Sequence, residues 1–143
     1  MKKILILAIL AIMAVGSANA QIQVEKKNDT VVELATYHYG FTKLYDMPNY
    51  RYVMYVKSTE GASFDIYMAI GKTKEKAVES LKTLQNILSL GFGAEVNIKD
   101  EKGAEFIVGA GRGNLFISSK ENPTKRCLLD IVDCNAMIAL LSK

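Results

Sequence analysis

The chain has 143 residues, with 18 Lys and Arg against 15 Asp and Glu and a formal net charge of +3. That length suits one domain with a modest core and is too short for two, and the sequence lacks the clustered basic excess of a nucleic-acid binder. A single histidine rules out a His-ligand cluster, and Cys127 and Cys134 stand at a spacing that fits no common zinc pattern.

Met1-Lys2-Lys3, the unbroken apolar run Ile4–Val15 and the small-residue end Gly16-Ser17-Ala18-Asn19-Ala20 have the three parts of a secretory signal peptide. Residues 1–20 are therefore expected to be an export signal of bacterial type, cut before Gln21. The run is short for a spanning helix, which needs about 20 apolar residues, and no second run of membrane length follows. Lys2 and Lys3 would leave with the signal, so the remaining 123 residues carry 16 basic and 15 acidic side chains, a net charge of +1. The expected location is the periplasm or the outside medium, with no membrane span after cleavage.

Residues 21–30 are polar and lysine-rich and read as a loose leader, leaving 31–143 as a single domain. Val32, Leu34 and Thr36 alternate with Glu33, Ala35 and Tyr37, the period of two of a strand. Asp46-Met47-Pro48-Asn49 reads as a turn and Tyr50–Lys57 as a second strand. After a turn at Ser58-Thr59-Glu60-Gly61 comes a third, with Phe64, Ile66, Met68 and Ile70 on one face and Ser63, Asp65 and Tyr67 on the other.

A helix is predicted from Thr73 to Leu90. Thr73 serves as N-cap, Ala77, Leu81, Leu84 and Leu88 form one apolar stripe widened by Val78 and Ile87, and Gly91 ends it with positive φ. Strands at Ala94–Lys99, Ala104–Gly109 and Asn114–Ser119 follow, joined by hairpin turns at Asp100-Glu101-Lys102-Gly103 and Gly111-Arg112-Gly113-Asn114. The last stretch reads as a strand over Lys125–Ile131 and a helix from Cys134 to Leu141 capped by Asp133, although the Cys127, Ile131, Cys134, Ile138, Leu141 spacing also permits one helix. Seven steps separate the cysteines by roughly 23 Å along a strand or 10 Å along a helix, against the ~7 Å a disulfide tolerates. Two buried thiols are therefore expected rather than a bridge.

The order is three strands, a helix, three or four strands and a second helix. With turns too short for crossovers, this predicts an α+β fold: a two-layer sandwich with a mainly antiparallel sheet of about six to seven strands and two helices on one face. The two halves share an element order, with no matching residues to support a duplication.

Catalytic motifs are absent. No serine sits in a Gly-x-Ser-x-Gly setting, and Gly109-Ala110-Gly111-Arg112-Gly113 is followed by strand-like residues rather than the helix a phosphate loop requires. No cofactor, metal site or catalytic set is predicted. Six of the seven tyrosines fall within residues 37–55, and Tyr67 follows on the next strand. Phasing the strands with Val32/Leu34, Met54/Val56 and Phe64/Ile66 inward places Tyr37, Tyr39, Arg51, Tyr55, Lys57, Asp65 and Tyr67 outward, a composition suited to binding. The expected function is a non-catalytic exported domain that engages a protein or an extended ligand through Tyr37, Tyr39, Arg51, Tyr55, Lys57 and Tyr67. The alternatives are a small hydrolase or transferase using Asp46, His38 or Asp65 with a tyrosine, and a structural subunit of an envelope assembly.

Overall fold

A computed structural model describes residues 30–58 and 64–143 and, in backbone only, an antiparallel pairing of Ala14–Val15 with Ala18–Ala20. The export signal expected over residues 1–20 falls mostly outside the described residues, as do all but the last residue of the leader and most of the turn expected at Ser58–Gly61. Among the described residues no helix is long and apolar enough to cross a membrane.

Eight strands and two helices follow: β1 (Val32–Tyr37), β2 (Thr42–Met47), β3 (Arg51–Lys57), β4 (Asp65–Gly71), α1 (Lys74–Leu88), β5 (Glu95–Lys99), β6 (Glu105–Ala110), β7 (Asn114–Ser119), β8 (Cys127–Asp130) and α2 (Ile131–Leu141). They form an antiparallel sheet in the order β1-β2-β3-β4 and another in the order β8-β7-β6-β5. Each is a meander, because every connection within it is too short to cross over. The chain is thus a four-strands-then-helix unit used twice. This corrects the expectation of one sheet of six or seven strands: β2 was hidden between two turns, and the strands after α1 pair among themselves. The α+β class and the antiparallel pairing stand.

One core joins all the elements. Leu44, Met54, Val56, Ile66, Met68 and Ile70 from the first sheet meet Phe106, Val108, Leu115, Ile117 and Leu129 from the second. Ala77, Leu81, Leu84 and Ile87 of α1 and Cys134, Met137 and Leu141 of α2 join the same core. Apolar side chains at alternate strand positions and at helical spacing are each forced to one side, and burying those sides together is the main stabilising term. The Thr73 hydroxyl accepts the Lys76 amide at 3.1 Å, so the expected cap of α1 is in place. The last stretch is strand then helix, but the cap is Asp130, which accepts the Val132 amide at 2.9 Å, and α2 begins three residues before the expected Cys134.

The two sheets are stitched together along their edges. Ser58, just past β3, makes an antiparallel bridge to Cys127 at the start of β8. On the free edge of β4, the Ala69 amide donates to Asp100 Oδ2 at 3.0 Å and the Ala69 carbonyl accepts from the Glu101 amide at 3.0 Å. The β5–β6 turn thereby covers an edge that would otherwise invite strand addition.

Candidate functional site

Tyr45, Tyr55 and Tyr67 come from β2, β3 and β4 and meet on the face of the first sheet away from the core. Register explains it: Tyr55 stands directly opposite Tyr67 on one side and Lys43 on the other, and Tyr45 lies one pleat along. Ring centroids are 5.0 Å apart for Tyr55–Tyr67, 6.2 Å for Tyr45–Tyr55 and 6.5 Å for Tyr45–Tyr67. These are tilted and edge-on geometries, which aromatic quadrupoles favour. Tyr67 is 43% exposed, and the other two are half-buried. Burial and then a hydrogen bond to Asp65 push the Tyr55 phenol up to about 12, and burial raises that of Tyr67. At neutral pH Tyr55 and Tyr67 therefore offer neutral hydroxyl groups. Lys43 lies beside it, paired with Glu33 at 3.5 Å.

Of the residues expected at this surface, Tyr55, Lys57 and Tyr67 lie on it. Lys57 Nζ also rests 5.7 Å from the centre of the Phe41 ring. Arg51 stays at the far end of β3, bound through Nε to Asp46 Oδ1 at 3.0 Å. Tyr37 does not face outward. Leu34 is an extra residue in β1, since Glu33 pairs with Tyr45 and Ala35 with Leu44. Such a bulge reverses the side-chain alternation, so Ala35 and Tyr37 pack against the core while Val32 and Leu34 are exposed. Tyr39 lies outside any strand, fully exposed in the turn after β1. Tyr45 and Lys43 escaped the sequence reading although they alternate through Thr42–Met47, because that strand went unrecognised.

The turn between β1 and β2 places the only histidine. His38 and Tyr39 both take left-handed conformations, with φ of 48° and 54°, so the chain leaves the strand after Tyr37. This turns the imidazole toward the junction of β8 and α2. His38 Nδ1 is 2.5 Å from Asp133 Oδ2, and Nε2 is 3.8 Å from Asp130 Oδ2. Asp133 is 5% exposed while the histidine side chain is 52% exposed. The hydrogen bond to Asp133 and its negative charge raise the His38 pKa above its ordinary value, with a smaller contribution from Asp130. His38, Phe41, Thr42, Leu128, Asp130 and Asp133 line a pocket of about 160 Å³. Asp46 and Asp65, the other candidates for an enzymatic alternative, do not line this pocket. The partners of His38 come from the far end of the chain.

Cys134 is buried, and its Sγ lies 3.4 Å from the Leu81 carbonyl oxygen. Burial and then the neighbouring Asp133 push its thiol up to about 12, which makes it a poor nucleophile. Among the described residues no group of three or more His, Cys, Asp and Glu side chains is arranged to hold a metal ion. The Gly109–Gly113 segment ends β6 and turns into β7, so its amides do not open a helix. Compared with protein-family models, curated proteins and solved structures, the chain matches none.

Proposed function

We propose that the protein is an exported, non-catalytic binding domain whose ligand is a protein or an extended chain held against the outer face of β2, β3 and β4. The observation that carries this reading is the meeting of Tyr45, Tyr55 and Tyr67 on one open sheet face, with Tyr55 and Tyr67 5.0 Å apart. Three rings held by strand register lose little side-chain entropy on binding and present both apolar faces and hydroxyl groups. Cross-strand aromatic pairs also stabilise a sheet, so the test separates binding from folding. Tyr45→Ala combined with Tyr67→Ala is expected to abolish retention of partners from cell-envelope extract while the circular dichroism spectrum is kept. Unchanged retention by the folded variant refutes the surface. Export is checked by mass spectrometry of the secreted product, whose first residue is expected to be Gln21.

The pocket at His38 favours a second reading, a small hydrolase or transferase. A half-exposed imidazole oriented by a buried carboxylate is the geometry of a general base. The pocket is smaller than the roughly 300–1,000 Å³ of drug-sized ligand sites, and its lining hydroxyl is Thr42. Hydrolysis of p-nitrophenyl acetate that disappears in His38→Gln and persists in the double tyrosine variant would establish this reading over the first.

A further inference from the structure

The outer face of the second sheet carries a groove of about 260 Å³ that is separate from both sites above. Its floor is Gly109, which stands in register between Glu95 on β5 and Phe116 on β7. A side chain in this position would project outward, so glycine leaves a notch in the sheet. Phe92, 70% exposed in the loop after α1, lines it too. Each phenyl group carries a guanidinium: Arg112 Cζ is 4.8 Å from the Phe92 ring centre and Arg126 Cζ is 5.6 Å from that of Phe116.

Among the described residues neither arginine has a carboxylate within ion-pair distance, whereas Arg51, the third arginine, and Lys43, Lys99, Lys102 and Lys120 do. Contact with a ring face uses no N–H donor, so both guanidinium groups keep their donors for an anion. Ser118, 4% exposed, also lines the groove.

We infer that this groove binds a small organic monoanion, a carboxylate joined to a flat apolar body, with the body over Gly109 between Phe92 and Phe116 and the carboxylate on Arg112 and Arg126. Arg126 and Glu95 both line the groove, and Arg112, on the Phe92 ring, adds a positive charge to be matched. The volume suits a ligand of phenylpropionate size rather than a nucleotide.

The test is titration of ¹⁵N-labelled protein with 3-phenylpropionate, its neutral amide and inorganic phosphate. Saturable shifts centred on Gly109, Phe116 and Ser118 are expected with the carboxylate, and much weaker ones with the amide and with phosphate. Arg112→Gln with Arg126→Gln is expected to weaken binding about tenfold or more. Gly109→Val is expected to do the same by filling the notch. It should fold, because a β-carbon at Gly109 meets nothing closer than Glu95 Cγ at 3.5 Å. Equal binding of amide or phosphate, the absence of saturable shifts, or undiminished affinity in either variant would overturn the assignment.

Discussion

His38 Nδ1 and Asp133 Oδ2 stand 2.5 Å apart although 95 positions separate them in the chain. The contact ties the turn after the first strand to the first turn of the last helix. It pairs a half-exposed imidazole with a nearly buried carboxylate, so the charged imidazolium is the form that the fold favours.

That pairing makes stability depend on pH in a defined direction. The folded pKa of His38 lies above its ordinary 6.5, so its stabilising contribution is complete below that value and fades as pH rises through the folded pKa. The urea midpoint difference between the native chain and His38→Gln is expected to be larger near pH 6 than near pH 9. Because the chain has one histidine, its imidazole proton signal can be followed without assignment. A titration midpoint at or below the ordinary value would contradict the contact.

Asp100 holds the junction of the two sheets. Its side chain is fully buried, and its carboxylate accepts from the amides of Ala69, Lys102 and Ala104 at 3.0, 2.9 and 2.9 Å. Asp100→Ala leaves those donors without that acceptor and is expected to lower stability by about 3 kcal/mol in urea denaturation. It also uncovers the edge of β4, so concentration-dependent association should appear in gel filtration. Lys102→Ala, which removes a cation 3.9 Å from the same carboxylate together with its 3.4 Å bond to the Tyr67 carbonyl and its contact with the Tyr50 ring, should cost only ~1 kcal/mol.

Gly71 ends β4 where α1 passes over it. A β-carbon there would lie 2.5 Å from the Ala77 nitrogen and 2.8 Å from the Lys76 carbonyl carbon, both backbone atoms that cannot swing aside. Gly71→Ala is expected to destabilise by about 2 kcal/mol or more. Gly109→Ala, whose added carbon finds ordinary van der Waals space, serves as the comparison and should leave the thermal midpoint nearly unchanged.

The thiol of Cys134 is fully buried and held up to about 12. In a Cys127→Ala background it should react with Ellman's reagent only as fast as the protein opens, and at once in denaturant. Rapid labelling of the folded variant at pH 8 would show that α2 does not stay packed.

Much of the fold was legible in the residues because its signals are local. Thr73 and the stripe Ala77, Leu81, Leu84 announced α1, alternation announced β4, and the hairpin turns bounded β6 and β7. The hairpin turns required glycine at Gly103 and Gly113, both with positive φ. Each of these depends on neighbours within a few positions, where propensity and periodicity act.

Tertiary structure decided the rest, and the sites most of all. The bulge at Leu34 moved Tyr37 to the core side, and only the pairing of β1 with β2 could impose it. Strand register brought Tyr45 to Tyr55 and Tyr67. Two sheets rather than one placed Phe92 and Phe116, with their arginines, around Gly109. Folding of the last helix against the first turn brought Asp133 to His38. Periodicity determines which side of an element is apolar, whereas the side chains that face one another across elements follow from long-range hydrogen-bond register and from burial of those apolar sides in one shared core.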